Sequence, residues 1–475
     1  MPELTQAALE ALFENAADFE TREIESAGQK LAVFFLDGLT AGGDIAELVI
    51  RPLVEQNEKL EERVLFQRAV QGGIWCASVK EVHETQQAAE LLVNGFCVVL
   101  FPKLKKAIAC EAKTGEKRAP SPPETENTVK GAKDAFTETL RTNTSLVRRH
   151  VRTPQLRLEE IVVGRRSGTK VTICWMDNLT DPELPERMRA RLLSIDIDGL
   201  LSPAAIEEYV TGARRTAFPL LEYTERTDHF CQGLLGGQVG LLVDGLPLGY
   251  LAPVSFGGLM TSPEDRTVDY LSASCLRVLR YAALAVSLLL PAIYAAMAMF
   301  HQQMLPTKLL LSIIDSKKDV PFSTIFEVLG LLCAFELLQQ AGLHLPQAVG
   351  TAVSIIGGLV VGTAAVDARL VSPAALIVTA SSGICGFTLP NRELSDCLRL
   401  WRFALVVLAG MFGLFGVTVG LLLMLVRLAG LESLGRSYLA PFSQARTQGA
   451  LLRPRLVQQK FRDAALRPQD KRNQR

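Results

Sequence analysis

The stretch Val320–Pro346, VPFSTIFEVLGLLCAFELLQQAGLHLP, decides how the rest of the chain is read. It lies in the most apolar third of a 475-residue protein, yet it carries Glu327 and Glu336. A carboxylate at membrane depth is costly, and such residues face a bundle interior or a water-filled path. Around this stretch, residues 281–426 are almost free of charge in long runs, and both flanks are charged. That is the composition of a membrane protein with large soluble parts. The length suits about three domains. Lys plus Arg equal Asp plus Glu at 50 each, so bulk charge gives no argument for nucleic acid or an acidic partner.

Four apolar runs predict membrane spans, at residues 281–300, 345–366, 371–390 and 403–426. The first contains Pro291, which predicts a kink where neighbouring helices supply partners. In the second, Gly350, Ser354, Gly358 and Gly362 recur every fourth position, a small-residue face for close helix packing. Thr379, Ser381 and Ser382 make the third semi-polar, which suits an inner helix or pore wall. Residues 427–475 then hold eleven Lys/Arg against three Asp/Glu, which places this tail in the cytoplasm. The N-terminus, MPELTQAALEALFENAADFE, has no basic region or apolar core of a secretory signal, so the soluble part is also expected in the cytoplasm. Two cytoplasmic ends require an even number of crossings, which the four runs supply. Residues 321–341 are therefore expected as a re-entrant or interfacial helix. Cys333, Glu336 and Gln340 share one face of it, and Glu327 lies about half a turn round. Two readings fit: a wet amphipathic helix, or a helix lining a cation path.

The first half reads as a duplicated α/β (α+β) domain. LAVFFL at 31–36 is a strand, residues 44–53 and 85–93 are helices, and GFCVVLF at 95–101 is a strand. FLDGLT at 35–40 returns as WMDNLT at 175–180, and LLVNGFCVVLF at 91–101 returns as LLGGQVGLLVDG at 234–245. The predicted layout is an N-terminal helical extension at 1–30, a first subdomain at 31–111 and a linker at 112–130. A second subdomain follows at 131–260, then a transmembrane domain at 270–427 and a basic tail at 428–475. The related cores lie near 31–110 and 160–252. In the second copy, LLSIDIDGLLSPAAIEEYV is expected as an insertion supplying a further strand and helix. A helix is predicted over Ala135–Val151, then a hairpin with strands at 158–163 and 170–176.

Several features point to less than they suggest. Asp196 and Asp198 lack the remaining ligands of a calcium loop. GLLGGQVG at 233–240 opens a strand and has no GK[ST], so it is not a phosphate loop. Arg148, Arg149 and Arg152 form a basic patch without interleaved aromatics, read as a solvated face or a subunit contact. Nine scattered cysteines with no CxxC pair read as free thiols. No nucleophile elbow or other catalytic constellation is present, and the chain reads as a non-enzyme without a cofactor.

Ordered motifs along the chain carry a resemblance. DAFTETLRTNTSLVRRHVRTPQLRLEEIVVGRRSGTKV (134–171), EYTERTDHF (222–230), GLLVDGLPLGYLAP (240–253), SPED (262–265) and MLPTKLLLSI (304–313) precede the stretch at 321–373, and YLAPF follows it. Together they resemble the GerA family of spore germination proteins, the A subunits of germinant receptors. The resemblance runs from about Val33 to Phe442. It implies a subunit in the inner membrane of a bacterial spore, acting with a transporter-like B-type subunit and a lipoprotein C-type subunit, and triggered by small nutrients. It also implies a homo-oligomer in the lipid bilayer that conducts monovalent cations, with nutrient binding assigned to the B subunit. Glu327 and Glu336 stand at the family's positions and are the two residues proposed for the pore. The chain departs from the family at Ser323-Thr324, Leu332, Gln339-Gln340 and Thr227. An auxiliary or scaffold paralogue that conducts nothing is the alternative. A secondary transporter fits less well, because no second copy of a broken-helix pattern occurs in the membrane half.

Overall fold

The computed structural model describes residues 3–56, 58–113, 123, 126, 130–212, 216–344, 362–443 and 451–473. The predicted span at 345–366 falls largely outside them, with Gly350, Ser354 and Gly358; Gly362 is described.

The chain opens with α1 (Gln6–Leu12), capped by Thr5. The hairpin β1 (Phe19–Ser26) and β2 (Gln29–Leu36) follows, and its turn places Ala27 and Gly28 at φ of 52° and 77°. Positive φ at both central residues gives the turn whose twist matches paired strands. Helical turns α2 (Gly42–Asp44), α3 (Arg51–Val54) and α4 (Glu62–Arg68) lead to β3 (Val79–Val82), α5 (Thr85–Val93), β4 (Phe96–Phe101) and β5 (Lys106–Glu111). The sheet order is β1-β2-β4-β5-β3. The second half repeats this wiring with α6 (Leu140–His150), β6 (Leu156–Val163), β7 (Thr169–Met176), α7 (Glu183–Leu193) and α8 (Pro203–Thr211). It ends with β8 (Glu222–Thr224), α9 (Thr227–Gly236), β9 (Val239–Val243) and β10 (Gly249–Ala252). Its order, β6-β7-β9-β10-β8, matches the first sheet strand for strand. Each sheet is covered on both faces. In the first, α1 and α5 lie on one side and α2 to α4 on the other. In the second, α6 and α9 face one side, and α7 and α8 the other.

Three expectations change here. Residues 1–30 are not a separate helical extension: α1 and β1 belong to the first subdomain, and β1 pairs with β2 along its whole length. The segment around Ile195–Leu201 forms no strand; only α8 comes from the expected insertion, and with α7 it occupies the place that α2 to α4 hold in the first copy. The helix expected from Ala135 begins at Leu140.

The two subdomains are locked through α6. Arg148 is fully buried, and its guanidinium donates to both carboxylate oxygens of Asp18 at 2.8 and 2.9 Å. Ser145 Oγ donates to the Gly38 carbonyl at 3.0 Å, and the Ala17 N–H donates to the Leu158 carbonyl at 2.7 Å. Arg148 is therefore not part of a solvated patch; Arg149 and Arg152 are exposed.

After the short helix α10 (Phe256–Leu259) come α11 (Tyr270–Met299), α12 (Thr307–Lys317) and α13 (Thr324–His344), then α14 (Gly362–Asp367), α15 (Pro373–Gly386) and α16 (Arg392–Ala429). α11, α13 and α16 are each long and apolar enough to cross a membrane. α11 starts before the predicted span and continues through Pro291. Asp265, fully buried in the SPED turn, holds its base through Arg277 and Arg280 at 2.9 and 2.8 Å.

Within α16 the run 403–426 is not one continuous span. Gly413 takes φ 63° and ψ −145°, a region open essentially to glycine alone. Beyond it the chain folds back: a Cβ at Gly420 would lie 2.5 Å from Leu405 and 2.9 Å from Leu408, and one at Gly416 would collide with the Leu408 carbonyl. α16 is thus a helical hairpin whose arms, 392–412 and 414–429, are roughly 31 and 24 Å long at 1.5 Å per residue. Its tip rests on Phe300 and His301 at the end of α11. Its base packs on the domain, where Phe218 sits between Trp401 and Tyr438 at ring distances of 6.4 and 6.2 Å.

Past the hairpin, β11 (Glu432–Ser433) and β12 (Arg436–Ser437) return the chain to the second subdomain. Ser433 Oγ accepts from the Val254 N–H at 3.0 Å and donates to the Leu220 carbonyl at 2.6 Å. The basic tail also docks: Gln469 bonds the backbone of Leu179 and Thr180, and Arg453 bonds the Val268 carbonyl at 2.7 Å.

Candidate functional site

α13 runs the length of the bundle. Ile325, in its first turn, meets Gly410 near the hairpin tip, whereas Gln340, in its last turns, reaches the cleft beside α8. Residues 321–341 are expected from the sequence as a re-entrant or interfacial helix. They contribute to an uninterrupted helix of 21 residues, roughly 31 Å long. Its apolar residues are not confined to one face: Val328 and Leu332 are fully buried, while Phe326 and Leu337 are about 70 % exposed. That distribution suits a helix packed on its bundle and facing lipid or another subunit.

The two glutamates sit at different depths, roughly 13 Å apart for nine residues of helix. Glu327, near the tip end, has a fully buried side chain. One oxygen accepts the Ser372 N–H at the start of α15, and the other lies 3.3 Å from Lys317 Nζ of α12. Ser372 in turn caps α15 by accepting from the Ala375 N–H. Glu327 therefore ties α12, α13 and α15 together.

Glu336, near the domain end, is partly exposed and faces the first arm of α16. Arg402 donates to one carboxylate oxygen at 2.7 Å, and Arg399 donates to the other at 3.3 Å. Arg402 is 2 % exposed and also donates to Ser382 Oγ at 3.2 Å, whose hydroxyl bonds the Ser287 carbonyl at 2.7 Å. Arg399 has a second carboxylate, Asp396, at 3.2 Å. One carboxylate thus joins α13 to α16, and through Ser382 to α15 and α11. Each glutamate is balanced by a cation within its own subunit.

Glu336 also borders a cleft of about 900 Å³ between the soluble domain and the helices. Glu207 and Glu208 of α8 face Glu393, Asp396 and Arg399 of α16 across it. The sequence reading found Glu327 and Glu336 but missed Lys317, Arg399 and Arg402. The arginines carried a signal: three residues apart at the foot of the last apolar run, they share a helix face. No such local spacing identified Lys317, which reaches Glu327 across the turn between α12 and α13.

The sequence profile described as Bacillus/Clostridium GerA spore germination protein matches residues 7–469. This chain belongs to the GerA family. Among relatives in Bacillus subtilis (strain 168), the family member is similar to uncharacterized membrane protein YfkQ, with 34 % identity over 92 % of this chain and 85 % of that protein. Spore germination protein KA of the same organism is 34 % identical over 92 % of this chain and 82 % of its own. Spore germination protein GerLA of Bacillus cereus is 31 % identical over 96 % and 94 %. The crystal structure of the N-terminal domain of the A subunit of the Bacillus megaterium spore germinant receptor GerK3 aligns with a TM-score of 0.41. That alignment has 24 % identity and covers 53 % of this chain and 93 % of the other.

Proposed function

We propose that this GerA-family protein is a membrane subunit of a spore germinant receptor that triggers germination in response to small nutrients. It oligomerises into a channel for monovalent cations in the spore inner membrane, with both ends of the chain in the cytoplasm, and acts with B-type transporter-like and C-type lipoprotein subunits. α11, α13 and the α16 arms cross the bilayer, and α13 lines the path. The observation that carries this reading is Glu336: a carboxylate on a sparsely covered helix, at the edge of an acidic cleft, neutralised by two arginines of the next helix. Released from Arg399 and Arg402, it would place a negative charge beside the cleft and favour cations. Glu327, buried with Lys317, acts at the opposite end of the helix.

The full pairing of both glutamates favours a second reading, an auxiliary or scaffold paralogue that conducts no ions. Purified protein in liposomes separates the two. Cation flux that changes in Glu336→Ala, with assembly retained, supports the channel; absence of flux, or flux indifferent to that substitution, removes Glu336 from the path.

A further inference from the structure

The contact between α8 of the soluble domain and the first turn of α16 contains a carboxyl–carboxyl pair that the proposed conduction does not use. Glu207 and Glu393 meet side chain to side chain at the wall of the cleft, and both are half-buried. Two carboxylates in hydrogen-bonding contact need a shared proton; without it they repel. We propose that Glu207 and Glu393 form a proton-dependent latch that holds the second subdomain on α16. Closed, it fixes the arm that carries Arg399 and Arg402, about two turns further along. Open, it frees that arm from the domain.

The surroundings fit such a latch. From α8, Glu208 adds negative charge, and from α16 Asp396 does the same. Arg399, also on α16, and Glu336 on α13 line the cleft, where Arg399 is already divided between Glu336 and Asp396; Arg392 is exposed and lies near Tyr223. From the sheet, the Tyr223 and Tyr250 phenols lie within electrostatic reach of the pair, and Glu126 lies near Tyr223. The Tyr438 phenol, from the segment after the hairpin, is buried near Glu393. Among these described residues the pair has no arginine or lysine partner of its own. Burial pushes the Glu207 carboxyl above its ordinary value, with Glu208 adding to the shift, against a smaller opposing effect of the hydrogen bond to Glu393. An acid whose value is raised in the closed form favours that form below its unperturbed value, and loses it as pH rises through the raised one.

The latch concerns domain attachment and stands whether or not the bundle conducts. Its test is amide hydrogen exchange of the full chain in nanodiscs, read as protection of residues 203–211 at pH 6 and pH 9. Wild-type protection should fall severalfold between the two. Glu393→Gln and Glu207→Gln, each replacing one acid by a neutral partner of the same shape, should abolish most of that fall while keeping protection at pH 6. A pH-insensitive wild type, or the same fall in both variants, overturns the latch. If one variant fails to fold, the other decides. Ion flux plays no part in the readout, so failure of the channel reading leaves this result intact.

Discussion

Replacing Glu336 by glutamine removes one charge and leaves two arginines behind, with unequal consequences. Arg402 is 2 % exposed and, among the described residues, would keep only Ser382, whereas Arg399 retains Asp396 at 3.2 Å. Stranding one member of a buried ion pair costs about 3–5 kcal/mol. Glu336 is itself 21 % exposed, so the lower end applies, about 3 kcal/mol. Arg402→Met should cost less, because Arg399 still reaches Glu336 at 3.3 Å. Arg399→Met should cost least, because the shorter pair at 2.7 Å remains. The double variant Glu336→Gln/Arg402→Met leaves neither charge stranded and should recover at least about 1.5 kcal/mol over the sum of the single variants. Denaturant unfolding of the purified protein in detergent, followed by tryptophan fluorescence, reads this cycle. A coupling under about 0.5 kcal/mol, or Arg402→Met costing more than Glu336→Gln, would refute the view that Glu336 is the shared anion of the network.

Three further outcomes are expected. Arg148→Ala leaves Asp18 buried without its cation, and should destabilise the soluble domain by about 3–5 kcal/mol and loosen one subdomain from the other, seen as faster proteolysis between them. Gly413→Ala forces a side chain into φ 63°, ψ −145° and against His301, and should cost at least about 1–3 kcal/mol. A disulfide between Leu405→Cys and Gly420→Cys should form efficiently with Gly413 intact, and poorly with alanine there; equal yields would count against the hairpin.

The duplication was visible in the sequence because both copies keep the strand–turn pairs FLDGLT and WMDNLT, and these end β2 and β7. β1 was not visible. As an edge strand with one face in solvent, FETREIES alternates charged and apolar residues too sparsely to stand out. The hairpin in α16 was hidden for another reason. Leu405 to Val426 has the same composition whether straight or folded, and hydropathy does not register a single glycine whose backbone turns the chain round. The glutamates of α13 were legible as anomalies, since an acid in an apolar run is rare. The partners of Glu336 were not singled out, because Arg399 and Arg402 lie more than sixty residues away and look like ordinary flanking charges. Arg148 misled in the opposite sense: three arginines in five residues suggest a wet surface, and only the fold shows that one turns inward to Asp18.

The return of the chain at Ser433 gives the helical block two mechanical anchors on one body. At one, Asp265 grips the foot of α11; at the other, Ser433 is stitched to Val254 and Leu220 of the same subdomain. A shaft fixed at one end can swivel, but a loop fixed at both ends transmits torque. A twist of the soluble domain must therefore load α11 and the second arm of α16 together. The strain would run round the loop to the tip at Gly413, where the two meet.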